Sequence, residues 1–200
     1  MRKILLLLLI LITVSSFIFS TTTKAVHDMT INFDLSDIAS KATYKFTYYE
    51  DANFAKELEA LRLTEDMSQL SNQKIYASGT MYLKWNVISP YSCSIVISST
   101  GPLYGKDGRA GEEYISLQAT ISGNNTPAVN SVTWGSLEPF IESEEARSKY
   151  TTKIKIADLD LSKTNKEANG SAKIEFKTGN AFSQAPQEYV CNIKFEIIQK

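Results

Sequence analysis

The residues best equipped for chemistry are few and far apart. Cys93 and Cys191 are the two thiols, His27 is the single imidazole, and carboxylates gather in two runs, Asp107 with Glu112 and Glu113, and Asp158 with Asp160. A structural zinc site needs four nitrogen or sulfur ligands, more than two cysteines and a distant histidine supply. A cysteine nucleophile needs a basic partner, and His27 stands in the segment just after the apolar start. The carboxylates offer oxygen ligands for Ca²⁺ or an acid and base pair for sugar cleavage. Neither run has EF-hand spacing, so solvated loop charges are the simpler reading. No G-x-S-x-G, H-E-x-x-H, C-x-x-C or phosphate-cradling glycine motif occurs. The chain therefore reads as a non-enzyme with no cofactor and no metal. Trp134, in "SVTWGSL" beside a glycine, is the aromatic best placed to sit on a loop and contact a ligand, a sugar first. Its other reading is packing over one end of the core.

What two thiols do depends on the compartment. "MRK" followed by the apolar run "ILLLLLILITVSSFIF" has the build of a secretory signal. Residues 1–25 are read as that signal, cleaved after Ser20 or after Ala25, and residues 26–200 as one domain. A membrane anchor is the competing reading, but the run falls short of the ~20 residues of a span. No Lys/Arg cluster follows it to stop transfer. Without Arg2, Lys3 and Lys24 the chain keeps 18 basic against 22 acidic residues. A mildly acidic product has no electrostatic case for nucleic acid or an anionic membrane. The expected location is secreted, periplasmic or at the cell surface, where disulfides persist.

The elements that must position these residues read as strands. "MTINFDL" places Met29, Ile31, Phe33 and Leu35 on one face, and "GTMYLKWNVI" does the same for Met81, Leu83, Trp85 and Val87. The alternation recurs in "TYKFTYY", "CSIVIS", "EYISLQATI", "YTTKIKI", "AKIEF" and "YVCNIKFEII", with Gly, Pro and Asn clusters between. One face on a core and one in water is the signature of antiparallel sheets. The predicted fold is all-β, an antiparallel β-sandwich with one short helical insertion. That helix is placed in "EDANFAKELEALRL", where Phe54, Leu58 and Leu61 have helical spacing and Asp51 or Asn53 is placed to cap. "PFIESEEARSKY" is a second, weaker helical candidate. "NNT" at Asn124 and "NGS" at Asn169 fit the glycosylation pattern, which matters only in a eukaryotic secretory route.

Alternation puts Cys93 on the face of Ile95 and Ile97, and Cys191 on that of Ile193, Phe195 and Ile197. Both sulfurs are thus expected in the core, and a Cys93–Cys191 disulfide is predicted, tying the last strand to the middle of the chain. A loop of about 100 residues closed this way stabilises by roughly 4–5 kcal/mol in the chain-entropy model. Two free buried thiols are the alternative.

The Tyr189-x-Cys191 pattern resembles the tyrosine corner of immunoglobulin-type domains. With "MTINFDL" near the mature N-terminus, the chain also resembles bacterial fimbrial subunits. That resemblance implies an immunoglobulin-like sandwich lacking its last strand, which a neighbour's N-terminal extension fills by strand addition. Met29, Ile31, Phe33 and Leu35 would then be the plugs; otherwise 29–35 is the domain's own first strand. The cysteine spacing, the tryptophan positions and Gln199 in place of a second-last tyrosine depart from these patterns. The function expected is a structural or interaction protein of a bacterial surface or periplasm. Its partners would be other proteins or further copies joined by strand addition. The alternative is an extracellular ligand-binding module with a carbohydrate partner.

Overall fold

β-Branched and aromatic residues at every second position favour pleated, half-buried backbone, and turn residues break the chain between such stretches. The computed structural model describes residues 28–35, 43–106, 113–124, 129, 131–161 and 166–200. The signal at 1–25, His27, Asp107 and Glu112 lie outside the described residues. The strands are β1 (Asp28–Leu35), β2 (Thr43–Tyr49), β3 (Ala60–Asp66), β4 (Tyr76–Ile88), β5 (Cys93–Ser99) and β6 (Leu103–Gly105). They continue with β7 (Tyr114–Ile115), β8 (Leu117–Gly123), β9 (Val132–Gly135), β10 (Ile154–Leu159), β11 (Glu167–Thr178) and β12 (Glu188–Gln199). Among the described residues one α-helix, α1 (Glu144–Thr151), separates β9 from β10, and a single 3₁₀ turn, Leu70–Asn72, precedes β4. The class is all-β.

Neighbouring strands follow the order β10–β5–β12–β1–β3–β4–β11–β8–β9. An antiparallel bridge between Val129, just ahead of β9, and Ala157 of β10 joins the two ends of that order. The strands therefore run round a circuit. β2 pairs with β4 beside it, and β6 links β12 to β7. β3 turns the corner: Ala60 to Leu63 pair with β1, and Thr64 to Asp66 pair with β4. One pairing departs from the antiparallel sheet expected, for β1 runs parallel to β12. These two strands come from opposite ends of the chain, so no short turn dictates their relative direction.

Met81, Leu83, Trp85 and Val87 of β4, Ile174 and Phe176 of β11, Ile95 and Ile97 of β5, and Ile193, Phe195 and Ile197 of β12 share one buried cluster. Rings from opposite walls meet there: Phe195 lies 5.8 Å from Tyr48 and 6.5 Å from Phe46 of β2, centroid to centroid. Each such side chain, fully buried, stabilises by ~1.5–3 kcal/mol over leaving it exposed. Trp85 needs room to lie flat. It faces Gly170 across the β4–β11 ladder, where a Cβ would come within 2.4 Å of the indole.

The helix placed in residues 50–63 does not form. The Asp51 carboxylate accepts hydrogen bonds from the backbone N–H of Asn53 (2.9 Å), Ala55 (3.1 Å) and Lys56 (3.1 Å). A side chain that satisfies its neighbours' amides locally competes with the helical ladder. Phe54 then adopts a left-handed φ of 58°, and the chain enters β3 with Leu61 and Leu63 buried and Arg62 exposed. The weaker candidate is the one that folds as a helix. Ser143 caps α1 by accepting from the Ala146 N–H at 3.1 Å, Glu144 and Glu145 occupy its first turn, and Tyr150 is its buried anchor.

Candidate interaction site

β1 fills a slot whose sides come from distant parts of the chain. Along β12, Met29, Ile31, Phe33 and Leu35 stand in register with Tyr189, Cys191, Ile193 and Phe195, the inward set of that strand. Along β3, Met29 and Ile31 face Leu63 and Leu61. Met29 and Ile31 are fully buried. Phe33 is half-buried and stacks on Tyr48 at 4.3 Å. On the outer side, the Asn32 amide donates to the Asn192 side-chain oxygen at 3.2 Å. The alternation that marked residues 29–35 as plugs is thus matched residue for residue by β12, and in the single chain the stretch sits in its own domain.

β12's other neighbour, β5, is held differently. All seven of its residues are buried. Its outer face is crossed by ion pairs whose members come from either side: Lys153, just before β10, reaches Glu196 of β12 at 2.9 Å, and Lys200 reaches Asp158 of β10 at 2.8 Å. Because β5 lies between β10 and β12, the lysine stems pass over it while their ammonium groups stay wet. Asp158 also accepts from Lys155 (2.7 Å) and from the Ser94 hydroxyl (2.7 Å). The two ammonium groups and the hydroxyl hold its carboxyl well below the usual range.

The cysteines are not brought together. Cys93 stands opposite Gln199 in the β5–β12 ladder, eight residues along β12 from Cys191, which at ~3.3 Å per residue is about 26 Å. A disulfide requires Cα atoms within about 7 Å, so the predicted Cys93–Cys191 bond is corrected to two free buried thiols. Alternation fixes the face a residue occupies but leaves the register open, since a slip of two residues keeps every side chain on its face. The Cys191 thiol lies 3.5 Å from the Gly101 carbonyl oxygen, and burial pushes it up to about 12. Burial also raises Cys93, against the opposing charge of Lys200.

Trp134 is not the loop platform expected. It sits in β9 at 1% exposure, its indole N–H donating to the Tyr150 carbonyl (3.1 Å) and its ring edge-on to the Tyr150 ring at 5.6 Å. The carboxylates are dispersed likewise. Asp160 accepts from the Ser92 hydroxyl at 3.2 Å, and Glu113 lies 3.5 Å from the Tyr189 hydroxyl. Among the described residues no group of three or more His, Cys, Asp or Glu is placed to hold a metal. Asn169 is exposed in β11, with its side-chain amide donating to Glu167 (3.1 Å). The Tyr189 hydroxyl donates to the Ala185 carbonyl four residues upstream (2.9 Å), and burial raises its pKa, aided by the Glu113 carboxylate.

One feature escaped sequence reasoning. A cleft of about 480 Å³ opens where β3, β4 and β11 end against the segment after β9, lined among others by Asp66, Tyr76, Ser78, Leu137, Pro139 and Lys177. These residues look like ordinary outward positions of strands and loops, and only the tertiary path of residues 136–139 turns them into a wall. No protein-family model matches the chain, and no curated protein matches it either.

Proposed function

We propose that this is an exported structural or interaction protein of a bacterial surface or periplasm, an immunoglobulin-like sandwich that joins its neighbours by exchanging β1. The observation that carries the reading is the seating of β1. A short N-terminal strand lies parallel to the last strand and seals the core with Met29 and Ile31. Such a strand supplies backbone hydrogen bonds along its edges and specificity through alternate side chains, the two elements of recognition by strand addition. The bond from Tyr189 to Ala185, two residues before Cys191, has the form of a tyrosine corner and supports the immunoglobulin-like part of the proposal.

The test uses the full mature chain carrying Ile31→Asp, which places a charge in the sealed slot. Its melting temperature should fall, and a synthetic peptide of residues 28–35 should restore it by mass action, by about 2.7 kcal/mol at one hundred times its dissociation constant. The same peptide carrying Ile31→Asp should restore nothing. If the wild-type peptide fails at every concentration, exchange is wrong and β1 is simply the domain's first strand.

A further inference from the structure

We infer that the cleft between β3, β4, β11 and the 136–139 segment is a binding site for a short carbohydrate, one or two sugar rings, independent of strand exchange. Its walls are fixed by side chains already committed. The Thr178 hydroxyl accepts from the Ala77 N–H at 2.7 Å. The Asn180 side chain accepts from the Ile75 and Phe182 N–H groups (3.0 and 3.1 Å) and donates to the Gln73 carbonyl (3.2 Å). The wall formed by Leu137 and Pro139 is pinned by the Ser116 hydroxyl donating to the Glu138 carbonyl, and by the Glu138 N–H donating to the Ser136 hydroxyl at 3.1 Å. Gly179 permits the approach, since a Cβ there would lie 2.8 Å from the Leu137 carbonyl oxygen. A cleft built this way keeps its shape with or without a ligand, and its volume falls within the ~300–1,000 Å³ of small-molecule sites.

Three other groups that line the cleft, on Tyr76, Ser78 and Lys177, are by contrast uncommitted. Among the described residues the Tyr76 and Ser78 hydroxyls have no hydrogen-bond partner and the Lys177 ammonium has no ion-pair partner. Asp66 accepts the Ser68 N–H at 2.9 Å with one oxygen, and the Ser68 N–H and hydroxyl hold its carboxyl below its ordinary value, so it is a charged acceptor. The set therefore combines an aromatic ring and an aliphatic wall with one acceptor, one donor and two hydroxyls. A sugar ring has the matching make-up: an apolar C–H face to lie on Tyr76, Leu137 or Pro139, and a rim of hydroxyls that both donate and accept. Two other ligand classes fit less well. An extended peptide would seek an open strand edge, yet β4 is paired here with β3 on one side and β11 on the other. An anionic ligand would meet one lysine offset by Asp66.

The experiment titrates the full mature chain, labelled with ¹⁵N, with cellobiose, chitobiose, maltose and lactose in turn. At least one should shift the amide signals of residues 66, 76–78 and 177–180 at millimolar concentration. Tyr76→Ala should weaken that disaccharide at least about tenfold, equivalent to ~1.4 kcal/mol. Ser78→Tyr, which fills the cleft from an exposed strand position, should abolish binding with the melting temperature unchanged. If none of the four moves the cleft signals, or if binding survives Ser78→Tyr, the inference is overturned. Neither result bears on the peptide rescue of β1.

Discussion

β1 and β5 flank the same strand, β12, and both set inward residues against it, yet they are attached in different ways. β5 is antiparallel to both neighbours, buried on both faces and strapped across its outer side by the lysine pairs to Glu196 and Asp158. β1 is parallel to β12 and antiparallel to β3, which it meets only from Met29 to Asn32, and Asn32 on its outer face is exposed. The comparison separates burial from commitment. Met29 and Ile31 are as deeply buried as Ile95 and Ile97, but every residue of β5 is buried, whereas Asn32 of β1 stays exposed. Under the exchange proposed above, the strand held by one face and two edges is the one expected to leave as a unit, and the one buried on both faces is expected to stay.

That contrast is open to direct attack. Ile95→Ala and Ile31→Ala each remove most of a fully buried side chain, and each should lower stability by about 2–5 kcal/mol in denaturant titration. Only the second loss should be recovered by adding the 28–35 peptide; recovery of both, or of neither, would erase the distinction drawn between the two strands. The outer strap should have a smaller effect, visible in acid. Asp158 titrates below its ordinary value in the folded chain, so its contribution is present above the unfolded carboxylate pKa, about 3.9. It is lost as the pH falls through the lower folded value. Asp158→Asn should therefore flatten the decline of stability in that acid window and leave pH 7 only slightly altered, since the group is more than a third exposed and screened by solvent. An unchanged acid limb would mean that the strap does nothing for β5. Smallest of all is the effect of reductant. With Cys93 opposite Gln199, eight residues along β12 from Cys191, dithiothreitol should leave the melting temperature where it was. A thiol reagent should find two groups in denaturant and almost none in the native state; a reductant-sensitive melting temperature would contradict the register of β5 on β12.

How much of this was readable beforehand follows from what kind of information each feature needs. Strand identity was local: Met81 to Val87 alternate in the sequence and in burial, and the inward positions Tyr189, Cys191, Ile193, Phe195 and Ile197 are all buried, with Val190 and Glu196 covered as well. The face of each cysteine was local too, and both are buried. Their separation was not, because register depends on which residues of another strand fill the space opposite. The 50–63 segment misled for a different reason. Its apolar spacing suits a helix, but Asp51 captures three amides before a helix can use them, and Leu61 and Leu63 are worth more facing the core from β3. The tryptophan beside a glycine looked like a loop because Gly135, with φ of 78°, does end β9. The ring itself turned inward to Tyr150. The cleft had no local signature, since it arises from strand ends and a crossing segment that meet only in three dimensions.

The bridge from Val129 to Ala157 has one more implication. That bridge joins the path at a single point, and among the described strands β2, paired with β4 alone, still has an outer edge. If copies of the chain join by exchanging β1 as proposed, growth would proceed by substitution, one strand displaced for each strand received. A fibre made that way would keep the number of strands per subunit constant, and its rate of elongation would be governed by departure of the resident strand rather than by the concentration of incoming chains.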